Sequence, residues 1–240
     1  MEPAQTIRNA VATVSLLRVQ TGASPPLLEA VKQIKLFQAR RFRASYADLL
    51  KSDDYGPATQ FFLDELYSDK DFAQRDAQFS KIAGALQTLF PKQVVHTAVT
   101  LAQLHKLTEE LDHQMGIAML SGSDADEAVA YVHAWNVVGR RADREVQLKT
   151  VLSVGLELNR LTRTPGLRLM LKMMRGPAHA AGLGALQAFL EAGFDTFAAM
   201  SGKKQLVSSF LSTIEHRESA LIDDLFSSNA ARAAKYLRQL

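Results

Sequence analysis

The stretch Pro91–Leu120, PKQVVHTAVTLAQLHKLTEELDHQMGIAML, decides the fold class. A proline opens it, in the position that suits the first turn of a helix. Apolar residues then recur along it at helical spacing. The same spacing appears almost everywhere else in the chain, and alternation with a period of two residues is nearly absent. The sequence therefore predicts an all-α protein.

Glycine and proline divide the rest of the chain into further helices. The breaks predict a single-domain multi-helix bundle of about nine or ten packed helices, with a glycine-rich helix near its centre. No linker rich in Pro, Gly or Ser is long enough to separate domains, so we expect one domain over residues 1–240. The predicted helices cover about 4–20, 26–51, 59–68, 72–90, 91–120, 125–140, 142–163, 165–176, 178–200, 203–226 and 230–240, where 125–140 and 142–163 are either two helices or one bent helix.

Composition excludes several classes of protein. The 240 residues are 47% hydrophobic and 22% charged, as in folded globular proteins. Cysteine is absent, which excludes disulfides, thiolate metal sites and cysteine nucleophiles. The net charge of +3 is small for a dedicated nucleic-acid binder.

The longest apolar stretches, such as Met115 to Leu120, fall far short of the roughly 20 residues that span a bilayer. The N-terminus does not have the pattern of a signal peptide. We expect a cytoplasmic protein without a membrane span.

Two segments resemble a known group of sequences. Residues 61–79, FFLDELYSDKDFAQRDAQF, are similar to a pattern FFLxELYxxxDFxxRDxxF in uncharacterised, all-helical bacterial proteins. Residues 174–200, MRGPAHAAGLGALQAFLEAGFDTFAAM, are similar to another part of the same family. The resemblance implies no activity, ligand or catalytic residue.

The helix over 91–120 holds the best candidate for a metal site. Glu110 and His113 form Glu-x-x-His, a spacing that places carboxylate and imidazole on one helix face, as in di-iron bundles. His105, Glu109 and His113 stand four residues apart and could form a mononuclear site. A second Glu-x-x-His is absent. A solvated helix face with ordinary ion pairs is the alternative interpretation of the same residues.

The glycine-rich segment 176–193 is a candidate cofactor pocket. Glycine inside a helix costs about 1 kcal/mol relative to alanine, so close helix packing or room for a flat cofactor should offset it. His179 could then be an axial haem ligand beside Gly182, with Tyr67 or Tyr131 as other ligands. Tight packing without a cofactor explains the same composition.

An aromatic pair is a further candidate binding site. Tyr131 and Trp135 are one helical turn apart and can share a face, where a ligand could stack. A pair of core aromatic side chains is the alternative interpretation.

Charged clusters give two weaker candidates. Arginines gather at 40–43, at 140–144 and, with Lys172, at 168–175, where they could bind phosphates or nucleic acid or could form salt bridges. In the segment 61–75, carboxylates beside Arg75 could act in acid–base chemistry. Helix caps and a buried Arg–Asp pair are the alternative interpretation of the same residues.

These patterns favour binding over catalysis. Phosphate-binding loops, His-Glu-x-x-His and Gly-x-Ser-x-Gly are all missing. We expect a protein that binds a partner protein or a small apolar ligand, where the partner can be a second copy of the chain. Catalysis is the less favoured alternative. One alternative is a metal- or haem-dependent helical oxidoreductase, and a second is a weak nucleic-acid or phosphate-ligand binder.

Overall fold

A computed structural model of the chain describes residues 2–65, 70, 72–122, 126–202, 205–227 and 230–239. The described residues form twelve α-helices and no strand, which confirms the all-α class. The helices are α1 Pro3–Gly22, α2 Pro25–Ser45, α3 Ala47–Leu50, α4 Gly56–Glu65, α5 Ala73–Leu89, α6 Lys92–Leu120, α7 Glu127–Val138, α8 Arg141–Leu161, α9 Leu167–Ala180, α10 Gly184–Ser201, α11 Leu206–Leu225 and α12 Ala230–Arg238.

The long helix α6 organises the packing. It contacts α1, α2, α7 and α8, and its fully buried side chains include Leu111 and Met115. Gly116 lets α2 approach closely, since a Cβ at this position would lie 2.5 Å from Val31 Cγ2. The helix deduced from the opening stretch is therefore the element on which the others are arranged.

Helices α7 and α8 are separate, which resolves the alternative between two helices and one bent helix. Asp126 caps α7 by accepting a hydrogen bond from the Val129 N–H at 3.0 Å. Gly139 and Arg140 then both adopt positive φ, at 62° and 56°. Two consecutive residues with positive φ interrupt the helical backbone, so α8 starts in a new direction.

The predicted boundaries of α9 were wrong at both ends. The helix starts at Leu167, after Gly166 with φ 77°, and not at Pro165. It continues through Gly176 and Pro177 to Ala180. It ends in a Schellman motif, in which Gly182 has φ 72°, its N–H donates to the His179 carbonyl at 3.0 Å and the Leu183 N–H donates to the Ala178 carbonyl at 2.7 Å.

No helix among the described residues is both long and apolar enough to cross a membrane.

Candidate functional site: an internal cavity with a polar end

A cavity of about 340 Å³ lies inside the bundle. Helices α5, α6, α8, α9 and α10 enclose one part of it, and α2, α6, α7, α8 and α11 enclose the other. Two helices, α6 and α8, therefore line it lengthwise. They run antiparallel, because Gln147 Nε2 donates to Thr108 Oγ1 at 2.7 Å and Arg144 Nη2 lies 2.9 Å from Met115 Sδ.

The cavity changes from apolar to polar along both of these helices. The lining residues of α6 begin with Val94, Thr97, Ala98 and Leu101 and end with Asp112, which lies roughly 27 Å from Val94 along the helix axis. The lining residues of α8 begin with Arg144 and end with Leu161. We call the part lined by Phe90, Val94, Leu161, Leu171 and Phe194 the apolar end, and the part lined by Arg41, Asp112, Tyr131, Trp135, Arg144 and Glu218 the polar end.

A buried ion pair lies at the polar end. Arg41 Nη1 is 2.7 Å from Glu218 Oε1, and the Tyr46 hydroxyl donates to the same oxygen at 2.9 Å. All three residues are buried. Removing either charged partner would leave a buried charge without its partner, which typically costs about 3–5 kcal/mol.

Asp112 adds a second buried carboxyl at this end. Its Oδ1 accepts a hydrogen bond from Gln38 Nε2 at 3.0 Å, and the residue is 3% exposed. Burial raises the pKa of Asp112, and the nearby Glu109 adds to that effect, whereas Lys35 and Arg144 oppose it. The net pKa is raised, so this position favours a neutral carboxylic acid more than a solvated aspartate does.

Trp135 and Arg144 face each other at the polar end. The Arg144 guanidinium lies 4.0 Å from the centre of the Trp135 ring, a cation–π distance. The indole Nε1 of Trp135 has no hydrogen-bond acceptor among the described residues, although Trp135 is only 7% exposed. A buried N–H group without an acceptor is costly, because folding removes its hydrogen bonds to water.

The segment that carries the family resemblance forms part of the cavity wall. Arg75 Nη1 lies 2.8 Å from Glu65 Oε2, and its guanidinium sits between the rings of Phe72 and Phe189, 3.9 and 4.5 Å from their centres. Burial lowers the pKa of Arg75, while the neighbouring Asp76 and Glu65 oppose that effect. The ion-pair partner of Arg75 is therefore Glu65, whereas the sequence predicted an aspartate.

Asp76, the next residue in the chain, contacts one side chain from α1 and one from α6. Its Oδ2 accepts from Arg18 Nη2 at 2.7 Å and lies 2.9 Å from His105 Nε2. Burial acts to raise the pKa of Asp76, but the hydrogen bonds and charges of His105 and Arg18 outweigh it and lower the net value. Asp69, Asp71 and Tyr67 lie outside the described residues.

The four residues predicted to bind metal have separate partners. His105 contacts Asp76, and Glu109 Oε1 accepts from Lys35 at 2.7 Å. Glu110 pairs with Lys106 at 3.5 Å, and His113 Nδ1 lies 2.8 Å from Thr21 Oγ1. In the part of the chain that the structure describes, no three His, Asp or Glu side chains are arranged to hold a metal ion.

The four residues predicted to bind a cofactor divide into two pairs. Tyr131 and Trp135 share a face as expected, with ring centres 5.9 Å apart, and both line the cavity. His179 is exposed, and its Nδ1 lies 2.9 Å from the Arg175 carbonyl oxygen. Gly182 has the positive φ that the turn after α9 requires. The structure thus separates His179 and Gly182 from the two aromatic residues, and a cofactor role for any of the four stays a prediction.

The arginine clusters have acidic partners close by. Arg40 pairs with Glu127, Arg140 with Asp143, and Arg141 with both Glu145 and Asp223. Arg168 and Arg175 pair with Asp195 and Glu191. These contacts match the salt-bridge interpretation of the clusters.

Sequence reasoning missed Asp112 and Glu218 as site residues, and it offered Arg41 and Arg144 only as members of arginine clusters. A signal for them exists, since each interrupts an apolar helix face. Glu218, for example, stands between the buried Ile214 and Leu221 at spacings of four and three residues. A charge on a buried face demands a partner or a function.

Comparison with known proteins places the chain in a family without adding an activity. No curated protein and no solved structure matches it. One family matches over residues 17–232, and it is described as a domain of unknown function, DUF8198. The match covers nearly the whole described bundle, including the cavity and the segment 61–79. The chain belongs to this family of uncharacterised domains, DUF8198.

Proposed function

We propose that this protein binds a small amphipathic molecule in the internal cavity and releases it unchanged. The observation that carries the proposal is a single cavity of about 340 Å³ with one apolar and one polar end. Ligand pockets of proteins typically measure about 300–1,000 Å³ and combine apolar walls with a few placed polar groups. Both features are present here.

The lining of the cavity favours an occupant with an apolar part. Most of its lining side chains are apolar, and the apolar surface that a ligand buries against them contributes roughly 25 cal/mol per Å².

The test is a binding titration that uses the protein's own fluorescence. Trp135 is the sole tryptophan of the chain and lines the polar end. We would titrate decanoate, decanol and decylammonium separately, each below the concentration at which it aggregates. The proposal predicts that at least one of them changes the Trp135 emission in a saturable manner with one molecule bound per chain.

A pair of variants with the same substitution shows whether binding occurs in the cavity. Leu101 lines the cavity midway along α6, whereas Leu156 is an exposed residue of α8. Leu101→Phe should weaken binding about tenfold because the larger ring narrows the cavity, and Leu156→Phe should leave it unchanged. If none of the three amphiphiles binds, or if both variants bind as the parent does, the proposed function is wrong.

Binding of a partner protein and formation of a homo-oligomer stay predictions from the sequence. What supports the small ligand is that the cavity lies between the helices of the bundle.

A further inference from the structure

We propose that the polar end receives the carboxylate of an extended apolar acid, with Trp135 Nε1 and the Arg144 guanidinium as hydrogen-bond donors. The inference rests on the proposed function and adds the chemical class of the ligand and its orientation. Four features support it: the acceptor that Trp135 lacks, the guanidinium of Arg144 beside it, the balance of charge around both residues, and the shape of the cavity.

Trp135 supplies the first hydrogen-bond donor. Its indole N–H can only donate, and it has no acceptor within the described residues although the side chain is more than nine-tenths buried. A ligand that displaces water from the polar end therefore satisfies this N–H only if it brings an acceptor. A carboxylate only accepts, a hydroxyl does both, and an ammonium group only donates. The indole thus disfavours a cationic ligand and favours an acid.

Arg144 supplies the second donor. This residue is 4% exposed, it lies over the Trp135 ring, and one of its Nη2 contacts is to the Met115 thioether, a weak acceptor. A hydrogen bond between a guanidinium and a carboxylate is roughly twice as strong as one between neutral groups. A carboxylate that contacts both donors would improve on the thioether contact.

The charges around this position are compatible with an acid. Arg41 and Glu218 neutralise each other, and so do Lys35 and Glu109. The charge of Arg144 also acts on the carboxyl of Asp112. Because burial favours the neutral form of Asp112, a carboxylate can enter beside Arg144 while Asp112 takes up a proton.

The cavity is long and narrow. Its lining runs roughly 27 Å along α6 toward Val94. Its volume of about 340 Å³ corresponds to about eleven water molecules in the liquid, at roughly 30 Å³ each. A single chain of about ten carbons fits this volume and, when extended from the polar end, spans about half of this length, so its tail should lie near Leu101. Decanoate is the probe that fits this description.

The experiment is a calorimetric titration of the full-length protein at pH 7 with decanoate, decanol and decylammonium. We expect decanoate to bind at least tenfold more tightly than decanol, and decylammonium to bind weakest. If decanol or decylammonium binds as tightly as decanoate, the acid is the wrong ligand class while the proposed function still stands. If none of the three binds, the proposed function itself has failed.

Variants locate the head group. Arg144→Gln should abolish the preference for decanoate over decanol, and Trp135→Phe should weaken decanoate binding about tenfold. Arg168→Gln, at an exposed ion pair far along the chain, is the control and should bind as the parent does. A preference for decanoate that survives in folded Arg144→Gln overturns the assignment. If that variant does not fold, the three-ligand comparison and Trp135→Phe decide the question.

Discussion

Asp112 is a carboxyl group that lies almost completely away from solvent. It is buried among groups from several helices, with Lys35 and Gln38 on α2, Glu109 on its own helix, Arg144 on α8 and Tyr131 on α7. Burial raises its pKa above the ordinary 3.8, and the cations of Lys35 and Arg144 reduce but do not reverse that change. The folded protein therefore binds this proton more tightly than the unfolded chain does.

The raised pKa predicts how Asp112 affects stability as the pH changes. Its contribution is fully present below about pH 4 and is lost as the pH rises through the folded-state pKa. Asp112→Asn keeps the oxygen that accepts from Gln38 and cannot ionise, so it should gain stability relative to the parent between pH 4 and pH 8. Each unit of pKa difference is worth about 1.4 kcal/mol, or about 3–5 °C in Tm for a domain of this size. Thermal unfolding at several pH values measures the difference.

Asp48→Asn is the control with the opposite sign. The hydrogen bond from Arg217 lowers the pKa of Asp48 to about 2, against a small opposing effect of burial. Its stabilising contribution is present above about pH 4 and is lost as the pH falls toward 2. Asp48→Asn should therefore be slightly less stable than the parent at pH 7 and equal to it near pH 2. A Tm difference between Asp112→Asn and the parent that does not grow with pH would contradict the assignment for Asp112.

Among the elements, α6 has the tightest contact with a neighbour, at Gly116. A Cβ there would lie 2.5 Å from Val31 Cγ2 and 3.3 Å from the Val31 backbone nitrogen on α2. Valine is stiff at χ1 in a helix, so the clash can be relieved only by moving α2. Gly116→Ala should therefore destabilise the protein by about 1–3 kcal/mol, as overpacking typically does. Chemical denaturation measures this free energy of unfolding.

Gly22→Ala is the matched control for that substitution. Gly22 is the last residue of α1, and a Cβ there meets nothing within 4 Å among the described residues. Alanine has the higher helix propensity, so the variant should be as stable as the parent or slightly more stable. Equal stability of Gly116→Ala and the parent would show that α2 and α6 do not approach as closely as described.

Elements were predictable from the sequence where local signals agree, and were missed where they conflict. Helix α6 follows from Pro91 and its uninterrupted apolar spacing. The predicted end of α9 was wrong because Pro177 is a strong local stop signal in the sequence. In the structure the helix continues to Ala180 and ends in the Schellman motif at Gly182. The shared face of Tyr131 and Trp135 was predictable because one helical turn separates them.

The cavity was beyond sequence reasoning for a different reason. Arg41, Trp135 and Glu218 come from three helices far apart in the chain and meet only in the folded bundle. Periodicity marks each of these positions as buried, but it does not show which buried positions face one another. The charged residues on apolar faces were the available signal, and they indicate a site without giving its composition.

At the scale of the whole molecule, the cavity couples ligand binding to stability. A ligand that binds only the folded protein stabilises it by about 2.7 kcal/mol at a hundred times its Kd. For a domain of this size, that raises Tm by about 5–11 °C. Decanoate at this excess should produce such a shift in the parent and in Leu156→Phe. The same decanoate concentration should give a smaller shift in Leu101→Phe, and equal shifts in all three proteins would place the binding outside the cavity.

The most direct measurement is a crystal structure of the protein with decanoate that carries a bromine at the end of its chain. Anomalous scattering locates the bromine without ambiguity between the head and the tail of the ligand. We predict a carboxylate oxygen within hydrogen-bond distance of Trp135 Nε1 and the bromine about halfway along the cavity, close to Leu101. A bromine beside Trp135 would reverse the proposed orientation, and a ligand bound only at the surface would contradict the account as a whole.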